Sequence, residues 1–403
     1  MNSILHPADT MTSRAYVALV LGSCAAILAA VLTLNLMLAY NNFRHDKNAL
    51  ASAWQQRTRG VTYAPPINDN RLFKTLRLNE RVGEINAIMF GSSTTMGIRE
   101  AAFAPPLRAY NFAQSGNSLV AVVGEAEYVV ARWPGRIRYL VIPLDWALGF
   151  TFDPGTPAAT DLSPEAVRAA AKAGRRRDEW LAQVRDALSL PRVKDLMGIA
   201  RDVLRAERKA TAFRQFFFEP AGEEYRCADG TPARDYDTLY RGLCNGFRFD
   251  GSATFADQRR IDARNAGALL AAAAASGSQY AMALRRTRGE PYAPTLERLA
   301  ALARRFARAG GAVVLFLPPL MPGLEQALLA SAHSGAALKR TKEALAAWAA
   351  RERLTLIDAG ASEKFGCAAD EFIDPHHALP ACYARVFARL PGAGTKSVRA
   401  ASD

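Results

Sequence analysis

The stretch "AIMFGSSTTMGI", Ala87–Ile98, is a short apolar run that stops at Gly91 and then offers two adjacent serines. It reads as a buried strand ending in a tight turn. Working outward, "LRAYNF" (107–112), "IRYLVIPL" (137–144), "GAVVLFLPP" (311–319) and "LTLIDA" (354–359) read as further short strands. The third is almost continuously apolar, as expected of a strand buried on both faces. "NSLVAVVGEAEYVVARW" (117–133) has helical apolar spacing, and so do 293–309 and 323–351. Strands alternating with helices predict an α/β fold with a parallel sheet covered on both sides.

The chain has 403 residues, 50% hydrophobic and 22% charged, enough for a sizeable core. Its formal net charge is +13. Much of the excess is arginine on alanine-rich stretches such as "KAGRRRDEW" and "ALARRFARAG", the pattern of solvated helix faces. No zinc-finger spacing, RNP-type motif or basic–aromatic interleaving supports nucleic-acid binding. The charge favours anionic partners such as lipid headgroups or acidic polymers.

"AYVALVLGSCAAILAAVLTLNLMLAY" (15–40) carries no charged residue and exceeds the roughly 20 residues that span a bilayer as a helix. It runs on without a small-residue cleavage site, so it reads as an uncleaved anchor. Arg14 precedes it, while Arg44, Lys47, Arg57 and Arg59 follow, so the positive-inside count opposes export. Long downstream domains translocate largely regardless of charge, however. Cys24 lies in the span; Cys227, Cys244, Cys367 and Cys382 lie beyond it, with no CxxC spacing. They fall as two local pairs, Cys227 with Cys244 and Cys367 with Cys382, which an oxidising compartment would close. The alternative is four reduced, buried thiols. The expectation is a single-pass inner-membrane protein with its bulk on the extracytoplasmic, periplasmic side.

This divides the chain into a cytoplasmic tail (1–14), an anchor (15–40), a polar neck (41–85), an α/β domain (86–150 and 293–392), an insertion or cap (151–292) and a disordered tail (393–403). The insertion opens helically at "SPEAVRAAAKAG", with Ser163 as N-cap and Pro164 at the first helical position. Its later part, "FFFEPAGEEYRCADGTPARDYDTLYRGLCNGFRFDGS" (216–252), is aromatic and turn-rich and reads as a cap beside the catalytic face.

A serine just after a strand can project from the carboxyl edge of a parallel sheet, where ligands bind in such folds. It needs a base to become a nucleophile. The five histidines are His6, His45, His333, His376 and His377. The first two flank the membrane segment, and His333 lies in a helical stretch. The remaining pair sits in "EFIDPHHALPACYARVFARL", where Asp374 precedes His377 by three residues. One turn can then bring a carboxylate to the imidazole, fixing its tautomer.

These blocks resemble the SGNH (GDSL-type) hydrolase superfamily. "FGSSTT" is similar to its first block, with Ser93 at the nucleophile position and Ser92 where an aspartate often stands. "YNFAQSGNSL" is similar to the second, whose glycine, here Gly116, supplies an oxyanion-hole N–H. "DPHH" is similar to the last, giving Asp374 and His377. The resemblance implies a flavodoxin-like three-layer parallel sheet with a largely helical insertion. It also implies a Ser93–His377–Asp374 triad, with the N–H groups of Ser93 and Gly116 holding the oxyanion. The family's third block is usually Gly-x-Asn-Asp; here "VIPLDWALGF" puts Leu144 where that asparagine is expected, followed by Asp145. Asn117 is the nearest replacement donor, and Ser92, Asp145 and His376 are possible supports.

Membrane-anchored relatives of the DltD type, which handle acyl groups on cell-envelope polymers, also lack the standard third block. The expected function is therefore a membrane-anchored serine esterase or O-acyltransferase. Its substrate would be an acylated glycan or other envelope polymer, and its partners the bilayer and other envelope-biosynthesis proteins. No metal or organic cofactor is implied, as HExxH, Walker and GxGxxG patterns are missing. The alternative is a non-catalytic accessory protein of polysaccharide assembly or export.

Overall fold

The computed structural model describes residues 13–44, 46–63, 70–145, 161–169, 185, 189–218, 224–236, 242–256 and 258–388. Its strands are β1 (Val61–Tyr63), β2 (Ala87–Met89), β3 (Ala109–Asn111), β4 (Tyr139–Pro143), β5 (Glu224–Arg226), β6 (Pro232–Asp235), β7 (Ala312–Leu317), β8 (Thr355–Asp358), β9 (Phe372–Asp374) and β10 (His377–Ala378). Five of them form one sheet in the order β3-β2-β4-β7-β8, all parallel. Counted along the chain this order is 2-1-3-4-5, a doubly wound arrangement with its switch point at the carboxyl ends of β2 and β4. All five are the short apolar runs expected from the sequence.

The helices are α1 (Ser13–Arg44), α2 (Lys47–Thr58), α3 (Arg71–Arg81), α4 (Leu119–Arg132), α5 (Leu190–Arg205), α6 (Lys209–Phe218), α7 (Ala263–Ala274), α8 (Gln279–Thr287), α9 (Ala293–Arg308), α10 (Leu324–Ala330), α11 (Gly335–Arg351) and α12 (Pro380–Phe387). Both faces of the sheet are covered. Leu140 and Ile142 of β4 bury with Val122 and Ala126 of α4 and Leu299 and Leu302 of α9. Val141, between them, buries on the opposite face with Tyr383, Val386 and Phe387 of α12. The alternation is the period-two geometry of a strand, and α9 meets it with the three-and-four spacing Leu296, Leu299, Ala300, Ala303.

Two compact units emerge among the described residues. One holds 13–47 and 189–218, where Leu38 of α1 buries with Leu196 and Ile199 of α5 and Phe217 of α6. The other holds 48–63, 70–145, 161–169, 224–236, 242–256 and 258–388. The insertion expected as one cap over 151–292 is thus shared between the two. Its predicted start is as expected: Ser163 Oγ accepts from the Ala166 N–H at 3.2 Å, capping a helix over 164–169. Residues 1–12, 146–160, 171–184 and 389–403, which include most of the expected tails, lie outside the described residues.

The segment 41–85, expected as a neck, instead carries α2, β1 and α3, and from residue 48 it folds with the sheet. Its polar appearance comes from cations that are buried. Lys74, Arg77 and Arg81 of α3 are all under 5% exposed. Lys74 Nζ donates to the carbonyl of Asn111 at 2.8 Å and to that of Gly251. Arg81 donates to the Phe249 carbonyl at 2.8 Å, and its guanidinium lies over the Phe249 ring. Buried cations are tolerated when such acceptors satisfy them. Burial pushes the Lys74 ammonium down to about 7, with Asp250 pulling the other way. β1 pairs in parallel with β6, which pairs antiparallel with β5.

Both disulfides, Cys227–Cys244 and Cys367–Cys382, are present, with α-carbons 5.5 and 5.1 Å apart. Cys367 and Cys382, the latter on α12, are buried in the core, whereas Cys227 and Cys244 are half-buried. A mild reductant under native conditions should open Cys227–Cys244 well before Cys367–Cys382, read by alkylation and mass spectrometry. Each closes a loop near 15 residues, so loss of either should lower stability by about 3 kcal/mol in chemical denaturation.

Candidate active site

Gly91 ends the strand that delivers the serines. Its φ is +141°, and a Cβ there would stand 2.2 Å from Thr95 Oγ1 and 2.8 Å from Pro143 Cγ. Only glycine allows this turn. Ser92 then caps a single 3-10 turn, Ser93–Thr95. The turn is pinned from three sides. The Asn111 amide, at the end of β3, donates to the Thr95 and Ile98 carbonyls at 2.9 Å each. Asp145, just past β4, accepts from Ser92 Oγ at 3.3 Å and Thr94 Oγ1 at 3.0 Å. The buried Tyr383 hydroxyl donates to the Thr94 carbonyl.

The partners come from a small hairpin. β9 and β10 pair antiparallel with Asp374 opposite His377 across the Pro375–His376 turn. Asp374 Oδ1 accepts the backbone N–H groups of both His376 and His377 at 2.9 Å. Its Oδ2 lies 2.6 Å from His377 Nδ1, and His377 Nε2 lies 2.9 Å from Ser93 Oγ. Burial alone would raise the Asp374 carboxyl, but the hydrogen bond and charge of His377, with His376 nearby, hold it at about 2. The carboxylate is therefore ionised at neutral pH and can only accept. Nδ1 of His377 must carry the proton, which leaves the Nε2 lone pair facing the serine hydroxyl. Ser93 is thus the serine facing the base, whereas Ser92 faces Asp145.

His376 does not reach the serines. Its ring lies 4.3 Å from that of His377, and its Nδ1 is 2.5 Å from the Tyr280 hydroxyl and 3.3 Å from Asp374 Oδ1. Burial, and then the adjacent His377 charge, push its pKa down, favouring a neutral ring. Asp374, His376 and His377 have potential ligand atoms within 4.8 Å of one another. A cation there would have to displace the hydrogen bond between Asp374 and His377.

The oxyanion side departs from expectation. Gly116 has φ +67° and is exposed, as a turn after β3 requires. The Asn117 amide, expected beside Ser93, instead donates to Glu125 Oε2 at 3.0 Å. Glu125 is a buried carboxyl on α4 that also takes Arg71 at 2.6 Å and Gln114 at 3.2 Å. Burial raises it to about 7 against the pull of Arg71 and the two amides. A buried acceptor of that kind outcompetes a solvent-facing position for a nearby donor. Leu144 is fully buried in the core between sheet and helices, and its N–H is spent on the Phe316 carbonyl at 2.7 Å.

The contributors not singled out in the sequence include Tyr383, Asn111, Glu125 and Phe255. Asn111 and Glu125 are polar residues interrupting apolar runs, a signal that was legible. Phe255 was not: it belongs to the turn-rich insertion, has φ +50°, and its ring stands edge-on to His377 at 6.5 Å between centroids. Bulky side chains rarely adopt that backbone region.

A carboxyl held below its unfolded value of roughly 3.9 stabilises the fold above that pH, and the contribution fades as pH falls toward the folded value. Denaturant midpoints of the parent should therefore drop between about pH 4 and pH 2 by more than those of Asp374→Asn. No protein-family model, curated protein or solved structure matches this chain.

Proposed function

We propose that this protein is a membrane-anchored serine ester hydrolase or O-acyltransferase of the SGNH type, acting through Ser93, His377 and Asp374. The observation that carries the reading is the unbroken line Asp374 Oδ2–His377–Ser93 Oγ at 2.6 and 2.9 Å, at the carboxyl edge of a parallel sheet. A nucleophile, a base and an orienting carboxylate from distant parts of the chain meet there in hydrogen-bonding order.

The chemistry follows from the tautomer. Ser93 Oγ forms a bond to the ester carbonyl carbon as its proton moves to His377 Nε2. The carbonyl oxygen becomes an oxyanion facing the Ser93 and Gly116 N–H groups. Its collapse breaks the bond to the alcohol oxygen, which takes the proton from Nε2 and leaves. A water or an acceptor hydroxyl then gives its proton to Nε2 and attacks the acyl-serine, and the proton returns to Ser93 Oγ. Water yields an acid; a hydroxyl yields a new ester.

An envelope setting is supported by the apolar helix over Ser13–Leu38, long enough to cross a bilayer, and by two disulfides, which persist in oxidising compartments. An acylated extracytoplasmic glycan is the substrate class this reading favours. One observation favours a second reading, a non-catalytic accessory role. Leu144 lies in the core and Asn117 is committed to Glu125, so neither of these two positions offers a side-chain amide to an oxyanion.

A fluorophosphonate probe separates the two. The parent should label at Ser93 and turn over acyl esters, and Ser93→Ala should lose labelling and fall by about 10⁴–10⁶ in kcat. A parent that neither labels nor turns over acetyl, longer acyl or aminoacyl esters has the accessory role. Asn117→Ala should leave kcat within a few-fold, unlike loss of a true oxyanion donor, which costs about 10²–10³.

A further inference from the structure

The outer face of α5 is unusual for a helix in water. Leu190, Met197 and Leu204 are 65%, 69% and 68% exposed and follow one another at seven-residue spacing. Lys194 and Arg201 are exposed on the same ridge, three or four residues from each apolar neighbour. The opposite face is already used, with Leu196 and Ile199 buried against Leu38 and packed by Val31, Leu34 and Met37 of α1.

Those α1 residues form the last third of the apolar helix, just before the candidate span ends at Leu38. If α1 crosses a bilayer, α5 packs against it at the depth where hydrocarbon gives way to headgroups. There Leu and Met side chains can dip into the acyl boundary while Lys and Arg stems snorkel up to phosphates. The charge agrees. From 190 to 218 there are seven Lys and Arg (192, 194, 201, 205, 208, 209, 214) against three acidic residues (195, 202, 207). A second copy fits the ridge poorly. A two-fold seam built on 190, 197 and 204 would set Lys194 and Arg201 near their own counterparts, a like-charge contact.

We infer that α5 is an interfacial membrane helix, resting its Leu190–Met197–Leu204 ridge on an anionic lipid surface beside the end of α1. This rests on the membrane-anchored reading of α1 but not on the catalytic one.

The test uses the full chain in lipid nanodiscs, with and without phosphatidylglycerol, and an environment-sensitive fluorophore on a single free cysteine. Three sites are compared: native Cys24 within the span, Met197→Cys with Cys24→Ser, and the exposed helix position Glu343→Cys with Cys24→Ser. Lipids spin-labelled at mid-chain or at the headgroup serve as quenchers. Mid-chain lipid should quench Cys24. Headgroup-labelled lipid should remove most of the Met197→Cys emission and leave Glu343→Cys bright. Adding Lys194→Gln and Arg201→Gln should reduce Met197→Cys quenching in phosphatidylglycerol discs to the level of neutral ones. If Cys24 is quenched and Met197→Cys stays bright and solvent-exposed, the interfacial helix is wrong while the anchor stands. If Met197→Cys is shielded without quenching and shows energy transfer between copies, the ridge is a protein interface and the inference fails. If Cys24 is also unquenched, both fail.

Discussion

Parallel pairing of β2 between β3 and β4 is the constraint on which the rest depends. Parallel strands all end at the same edge, so the turns after β2, β3 and β4 are forced to meet. Met89 lies in register with Asn111 and Val141, and the chain beyond each strand enters one small volume. Three polar residues that would be isolated in an extended chain therefore converge. Ser93 follows β2, Asn111 ends β3 and Asp145 follows β4. The cost of burying Asn111 and Asp145 is offset because the turn after β2 supplies their hydrogen bonds, through the Thr95 and Ile98 carbonyls for Asn111 and the Ser92 and Thr94 hydroxyls for Asp145.

The candidate nucleophile is held by groups that do no chemistry. Asn111, Asp145 and Tyr383 all act on the 3-10 turn, two on its carbonyls and one on its flanking hydroxyls. The hairpin β9–β10 does the same for the base, since Asp374 uses one oxygen on two backbone N–H groups and the other on His377. Such fixed geometry holds Asp374, His377 and Ser93 in hydrogen-bonding order. The loop after β3 is held differently, through a carboxyl in the core. Glu125 draws in Arg71, Gln114 and Asn117, which stiffens the loop carrying Gly116 and removes Asn117 as a donor to the edge.

The excess positive charge serves several separate ends. Arg298 and Arg304 make surface ion pairs with Glu127 and Glu352, contacts of small energetic weight. Lys74, Arg77 and Arg81 are interior cations that bind backbone carbonyls, including those of the loop 245–251. Through that loop they support the segment bearing Phe255, whose ring meets His377. A net charge of +13 therefore says little by itself about a partner, because part of it is structural.

The sequence by itself determined the local elements and pointed to the side chains that meet in the candidate site. Apolar runs of strand length marked all five sheet strands, and a Pro after Ser163 marked a helix start. A carboxylate three residues before a histidine marked the triad arm, and four cysteines in two local pairs marked the disulfides. These rest on period, spacing and residue chemistry within a few residues. Tertiary structure decided the fate of polar groups far apart in the chain. Ser93 and His377, the member of each pair expected from the motif resemblance, are the side chains the two turns aim at each other across a separation of 284 residues. The Asn117 amide went to Glu125 because that carboxyl is buried beside it, and burial is not written in a local pattern. The supposed neck was folded because its cations found carbonyls contributed by β3 and a loop some 170 residues away. A charged residue looks solvated until the acceptor that lets it be buried is known, and only the packed chain supplies that acceptor.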